Sequence, residues 1–193
     1  MSKINYYSSD MKYADSEEIF KKTSSYIFRK MAEINPILKI NPVTNKKMQF
    51  EGVDKILTTR KNVFLKLEEK VRKKDWGDIL IEIVADDRYA SYCPHTNQFN
   101  YSEMRGVGWG MKQYKTDLLL YYFEESDSGY LLSWKKFQEM FLNNIQSWYL
   151  LALANKDKFA IKNAQNKNYS SINIAIPKKE FEKAYIKVGG KII

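Results

Sequence analysis

Three side chains of the kinds that bind divalent cations and phosphates lie close together in this sequence. Asp54 precedes a polar turn at 59–62, and Glu68 and Lys70 follow that turn in the segment 63–72. Because side chains alternate across a strand, Glu68 and Lys70 are predicted to point to the same face. If the turn folds the chain back on itself, the carboxylates of Asp54 and Glu68 converge. Two such carboxylates can hold Mg²⁺, a hard cation that prefers oxygen ligands.

The segment 63–72 is predicted to be a strand with one apolar and one polar face. Such a strand suits either the lining of a cleft or an ordinary solvent-facing position. Glu69 falls on the apolar face, where a charge needs a partner. A bulge at Glu68-Glu69 would instead exchange the roles of these two residues. The apolar side carries Val63, Leu65 and Leu67, and the polar side carries Phe64, Lys66, Glu68 and Lys70.

The order of these residues resembles a known superfamily. Gly52-Val53-Asp54, then a hairpin turn, Glu68-Glu69-Lys70 and the segment 78–82 are similar to the PD-(D/E)XK nucleases, a class that includes many restriction, repair and phage nucleases. Val53 stands where the family usually has proline, a replacement common in that superfamily. The resemblance covers about residues 14–135 through element order, and matching residues occur only within 52–84.

The resemblance implies a restriction-endonuclease-like fold and metal-dependent hydrolysis of DNA. Asp54 and Glu68 would ligate Mg²⁺, or Mn²⁺ in its place, and the ions would stabilise charge on the scissile phosphate. Lys70 would position the attacking water or help to deprotonate it. Glu82 is a further catalytic candidate or simply a polar strand end. The acids Glu17 and Glu18 would either add an acidic group or form a solvated helix start.

Nucleic acid is the first partner that the charge suggests. The chain has 32 Lys and Arg against 23 Asp and Glu, a formal charge of +9 that attracts polyanions. The alternative is that Lys and Asn are abundant here as in any AT-rich genome. A cluster of positive charge around an aromatic side chain is predicted to contact phosphates and bases, or else to be scattered surface charge. That cluster is Arg105, Trp109, Lys112 and Lys115.

Several other chemistries lack the residues that they need. The only histidine is His95 and the only cysteine is Cys93, so paired-histidine sites and structural zinc are excluded. No GxxxxGK[ST] phosphate loop is present. The single cysteine favours a reducing compartment, and we expect a cytoplasmic protein with no signal peptide and no membrane association.

The periodicity predicts an α/β protein with a mixed central sheet flanked by helices. We expect one domain over 1–193, with a core at 14–154 and a C-terminal strand and helix at 171–187. The strand 78–84 is predicted to be central, next to the Glu68 strand, and the strand 172–176 to pair at the sheet edge. We expect 38–48 and 85–101 to be irregular and 155–170 to be mobile.

Three functions remain compatible with these residues. The first is a DNA endonuclease, for which a homodimer is favoured because cutting both strands commonly uses two sites related by two-fold symmetry. The second is a nuclease-fold regulator or inhibitor that binds nucleic acid or protein without cutting, for instance in phage–host conflict. The third is an exonuclease or an RNA-directed enzyme with the same metal site.

Overall fold

A computed structural model describes residues 17–193, which form a mixed α/β protein. Its helices are α1 (Glu17–Met31), α2 (Lys46–Phe50), α3 (Trp134–Leu153) and α4 (Lys178–Lys187). Its strands are β1 (Ile37–Pro42), β2 (Lys55–Thr59), β3 (Phe64–Arg72), β4 (Asp78–Val84), β5 (Ala90–Cys93), β6 (Gln98–Tyr101), β7 (Leu118–Phe123), β8 (Ser128–Ser133), β9 (Ala160–Gln165) and β10 (Ser170–Pro177). The predicted α/β class is therefore confirmed, whereas the restriction-endonuclease-like assignment stays a prediction.

The chain divides into two compact units. Among the described residues, the first unit contains 17–75, 114–137 and 190–193, and the second contains 76–113 and 138–189. The prediction of a single domain over the whole chain stays a prediction. Within the described range, no helix is both long and apolar enough to cross a membrane.

The first unit is built on a five-stranded mixed sheet. Its strand order is β1-β2-β3-β7-β8, in which β3 and β7 are parallel and the other neighbours are antiparallel. The central strand β3 pairs with β2 and β7 without a register shift, so its side chains alternate between the two faces along its length. The central position of β3 places its middle residues in the interior of the unit.

Helix α1 covers one face of this sheet. Its apolar residues recur at helical spacing, so they share one side of the helix and bury against the strands. The shared core contains Tyr26, Ile27 and Met31 of α1 with Ile37, Leu57, Leu67, Leu120, Tyr122 and Leu131 of the sheet. Asp15 with Glu18 three residues on forms a capping-box pattern that predicts a helix start, and Asp15 lies outside the described residues. Because Leu67 lies under α1, its neighbour Glu68 points to the opposite face.

The second unit contains a separate three-stranded antiparallel sheet. Its order is β4-β10-β9, so β10 is the central strand. The prediction that this C-terminal strand pairs at an edge is wrong, because its sequence is apolar enough to be buried between two neighbours. The prediction that β4 lies beside β3 is also wrong, since β4 pairs with β10. Helix α4 follows β10 directly.

Three segments that were predicted to be irregular or mobile contain regular structure. The segment 38–48 includes most of β1 and the start of α2, and the 85–101 excursion forms the hairpin β5-β6. The segment 155–170 contains β9. These strands have only one neighbour each, and β1 has a register shift between Ile37 and Lys39. Edge strands carry polar residues on exposed positions, so the alternation of apolar residues that marks a strand is weak in them.

Candidate functional site

Asp54 immediately precedes β2 and is held against β3 by two backbone contacts. The Asp54 N–H donates to the Leu67 carbonyl at 2.8 Å, and the Glu69 N–H donates to Asp54 Oδ2 at 2.8 Å. The pairing of Lys55 with Leu67 continues the same antiparallel ladder. The Asp54 carboxylate is therefore fixed beside the middle of β3.

Glu68 and Lys70 share one face of β3, as the alternation predicts. Lys70 Nζ forms an ion pair with Glu68 Oε1. The Glu68 side chain is 3% exposed and the Lys70 side chain 29%, so the pair is buried on the Glu68 side and reached by solvent through Lys70. The structure thus brings together Asp54, Glu68 and Lys70 within the first unit.

Burial and the neighbouring carboxylate both favour the protonated form of Glu68. Burial raises the pKa of Glu68 from 4.5 to about 7, the positive charge of Lys70 opposes this rise, and Asp54 adds to it by repulsion and by a hydrogen bond. For Lys70, burial disfavours the charged form, but the electrostatic interactions with Glu68, Tyr114 and Asp54 outweigh it and raise its pKa. Lys70 is therefore a cation at neutral pH.

The donor atoms at this site fit a hard divalent cation. Asp54 and Glu68 offer carboxylate oxygens close enough to share a hydrogen bond, an arrangement in which a cation can replace the shared proton. Among residues 17–193, no group of three or more His, Cys, Asp or Glu side chains could hold a metal ion together. A Mg²⁺ ion here would have two protein carboxylates and would complete its shell with water and substrate oxygens, as Mg²⁺ sites commonly do.

Glu69 lies on the opposite face from Glu68, in the buried layer beneath α1. Its Oε2 pairs with Lys55 Nζ at 2.5 Å, and the side chain is 8% exposed. Because β3 has no register shift at this point, the alternative in which a bulge exchanges Glu68 and Glu69 does not occur. Lys55 is the partner that the position of Glu69 required.

Tyr114 is a site residue that the sequence analysis missed. Its ring lies directly over Gly52, where a Cβ atom would overlap the ring, and Gly52 has a positive φ of 80°. The ring also packs against Trp134 at 5.2 Å between centroids. Tyr114 also interacts electrostatically with Lys70 of the ion pair. No local pattern marks Tyr114, since its position depends on contacts with residues about sixty positions earlier in the chain.

The other acidic candidates are Glu82, Glu17 and Glu18. Glu82 is on β4 of the second unit, and its catalytic role stays a prediction. Glu17 and Glu18 pair with Lys21 and Lys22 at 2.7 Å, one helical turn along α1. This agrees with the alternative of a solvated helix start.

The four residues predicted to contact nucleic acid differ in their exposure and in their partners. Trp109 is buried at 9% exposure, and its stacking role stays a prediction. Arg105 pairs with Glu103 at 2.8 Å and lies over the Tyr89 ring. Lys112 belongs with these two residues to the second unit. Lys115 belongs to the first unit and pairs with Glu51 at 3.1 Å.

No protein-family model matches this chain, and no curated protein or solved structure matches it significantly. The case for a function therefore depends on the arrangement of Asp54, Glu68 and Lys70.

Proposed function

We propose that this protein is a Mg²⁺-dependent nuclease of the PD-(D/E)XK class that hydrolyses DNA phosphodiester bonds. The observation that carries the proposal is the meeting of Asp54, Glu68 and Lys70 on one sheet face, with Glu68 in contact with both partners. A buried carboxylate with a raised pKa beside a second carboxylate is the kind of perturbed group that clusters at functional sites.

In this proposal, Asp54 and Glu68 hold the cation. The backbone contacts that fix these residues in place are important, because a ligand that moves by an ångström weakens both the metal shell and the alignment of the substrate. When bound, Mg²⁺ would bind the scissile phosphate and stabilise the negative charge that develops on its oxygens. Mn²⁺ would serve the same site, since it accepts the same oxygen ligands.

Lys70 would act as a fixed positive charge. The interactions with Glu68 and Asp54 raise the pKa of Lys70, which favours the protonated ammonium group. Of the two roles inferred from the sequence, positioning is therefore the better supported. The ammonium would donate hydrogen bonds to a phosphate oxygen or to the water, and its charge would favour the more negative transition state. The water oxygen would add to phosphorus as the bond to the leaving oxygen breaks, with the proton of the water passing to solvent and the leaving oxygen taking a proton from solvent.

The setting of this activity is also part of the proposal. The formal charge of +9 favours DNA as the partner. A homodimer would supply the second site needed to cut both strands of a duplex. The single cysteine, Cys93, is exposed and free, which is compatible with a reducing cytoplasm.

A cleavage assay with three substrates tests the proposal. Supercoiled plasmid, linear DNA and RNA are incubated with the protein in Mg²⁺ or in EDTA. We expect Mg²⁺-dependent nicking of the plasmid, which Asp54→Asn and Lys70→Met should abolish. Glu125→Gln is the matched control, because it removes an exposed carboxylate of the same unit and should leave the rate unchanged.

Other results of the cleavage assay would favour the alternative functions. Degradation of linear DNA alone would indicate an exonuclease, and degradation of RNA alone would indicate an RNA-directed enzyme. Binding without any cleavage in Mg²⁺ or Mn²⁺ would overturn the proposed activity and favour the non-cutting regulator.

A further inference from the structure

The face of the sheet that carries Glu68 continues from β3 onto β2 and the edge strand β1. We call this outer part the lysine–phenylalanine face. It consists of two rows of side chains across β1, β2 and β3: Lys39, Thr58 and Phe64 in one row, and Asn41, Ile56 and Lys66 in the other.

Register and alternation place both rows on the same side as the candidate site. Phe64 and Lys66 precede Glu68 by four and two positions on a strand that has no register shift, so all three point the same way. Helix α1 packs on the other side, against Leu57 and Leu67. A strand rises about 3.3 Å per residue, so Lys66 is roughly 7 Å and Phe64 roughly 13 Å along β3 from Glu68.

The side chains of this face are available to a partner. Phe64 is 67% exposed, among the most exposed large apolar side chains of the described residues. Lys39 and Lys66 are exposed and form no ion pair within residues 17–193. A neighbouring acid, Asp117, uses its Oδ2 to accept the backbone N–H of Lys66 at 2.8 Å. The face therefore combines an unpaired positive charge with an exposed aromatic ring.

We propose that the lysine–phenylalanine face binds a single-stranded segment of nucleic acid and leads it to the Asp54, Glu68 and Lys70 site. Lys39 and Lys66 attract phosphates, and Phe64 stacks on an unpaired base. A duplex offers phosphates but keeps its bases stacked on one another, so an exposed phenylalanine gains a base contact only from an unpaired strand. This inference names the substrate form of the proposed nuclease and in that respect rests on the proposed function.

Binding without cleavage tests the inference. The probe is a fluorescent dT20 oligonucleotide, compared by anisotropy with a duplex of equal length, in EDTA so that no hydrolysis occurs. We expect tighter binding of dT20 than of the duplex. Phe64→Ala should weaken dT20 binding about ten-fold, and Phe64→Trp should restore it, because stacking on either aromatic ring is worth a similar free energy. Duplex binding should be almost unchanged in both variants.

The role of the two lysines is tested by the salt dependence of binding. Each phosphate contact on a single strand contributes about 0.7 to the slope of log affinity against log salt, so Lys66→Gln should lower the slope by that amount. Lys21→Gln is the control for charge, since Lys21 is an exposed lysine of α1 that pairs with Glu17. Phe28→Ala is the control for an exposed phenylalanine of the same helix.

Specific results would overturn the inference. If Phe64→Ala weakened the binding of dT20 and duplex equally, Phe64 would have no preference for unpaired bases. Unchanged dT20 binding would show that this face does not bind the oligonucleotide. Conversion of a dimer to a monomer by Phe64→Ala in sedimentation velocity would instead identify a contact between copies of the chain. Cleavage by a Phe64→Ala variant that binds dT20 normally would refute this face while leaving the proposed nuclease intact. Normal dT20 binding through this face without cleavage would refute the proposed nuclease while leaving this face intact.

Discussion

Lys55 and Glu69 form a buried ion pair, 2.5 Å between Nζ and Oε2, on the sheet face opposite Glu68. Lys55 Nζ also donates to Thr23 Oγ1 of α1 at 2.5 Å. Lys55 follows Asp54 and Glu69 follows Glu68, so in each pair of neighbours the first residue lies at the candidate site and the second belongs to this ion pair. A slip of register by one residue would exchange the two sets, and the buried pair therefore stabilises the register that the site requires.

The first prediction concerns the stability that this pair controls. Lys55→Met should lower the free energy of unfolding by about 3–5 kcal/mol, because it leaves the Glu69 carboxylate buried without its cation. The double variant Lys55→Met/Glu69→Leu should recover most of the loss. Urea unfolding followed by circular dichroism measures both. A double variant as unstable as the single one would show that the pair has no such role.

The second prediction concerns the contact between Gly52 and Tyr114. Gly52→Ala should destabilise the protein more than Gly77→Ala, although both glycines have a positive φ near 80°. The strain of that backbone conformation, about 1–2 kcal/mol, is common to both substitutions. Only Gly52 has a ring where the new Cβ would lie, whereas Gly77 has nothing within 4 Å. Thermal unfolding of the two variants, each against wild type, gives the comparison. Equal losses would contradict the packing of Tyr114 on Gly52.

The third prediction is a pH dependence of stability due to Glu68. Because the pKa of Glu68 is raised from 4.5 to about 7, the folded protein binds its proton more tightly than the unfolded chain does. This contribution is fully present below pH 4.5 and is lost as the pH rises through 7. Relative to Glu68→Gln, wild type should lose up to about 3 kcal/mol between pH 5 and pH 8.

Chemical denaturation at both pH values measures this difference. Glu125→Gln is the control, and its stability should change with pH in parallel with wild type because the Glu125 side chain is exposed. The difference in the free energy of unfolding between wild type and Glu68→Gln is the decisive quantity. If it is the same at both pH values, or changes in the opposite direction, burial does not favour the protonated carboxyl group.

The fourth prediction separates metal binding from hydrolysis. Asp54→Ala removes a proposed ligand, so Mg²⁺ affinity should fall at least ten-fold, and excess Mg²⁺ or Mn²⁺ should recover part of the rate. Lys70→Ala keeps both carboxylates and removes a nearby positive charge, so Mg²⁺ should bind at least as tightly while cleavage is lost. Calorimetric titration beside plasmid nicking tests the two variants. Full activity in either variant would exclude that residue from the site.

The fifth prediction is that DNA binding depends steeply on salt even without catalysis. Releasing counterions from a polyanion makes affinity fall as salt rises. Lys70→Met protein, assayed in EDTA at a series of NaCl concentrations, should therefore bind DNA less tightly at each step. Affinity that does not change with salt would indicate a protein partner instead.

Local patterns in the sequence were enough for the elements that have one strongly buried face. The helical spacing of apolar residues predicts α1 and α3, and the alternation in 63–72 predicts which side chains share the Glu68 face. These patterns depend only on the geometry of a helix or a strand, which repeats over a few residues. The same geometry required a partner for Glu69, but it could not name Lys55.

The tertiary structure decided the features that depend on distant pairing. β4 joins β10 in a second sheet, Tyr114 lies over Gly52, and Trp109 is buried. Each results from segments far apart in the chain that compete for the same strand edges and apolar surfaces, and the outcome depends on total burial and loop closure more than on local preference. For this protein, the sequence by itself determined which residues could do chemistry, and the packing of distant segments determined which of them meet.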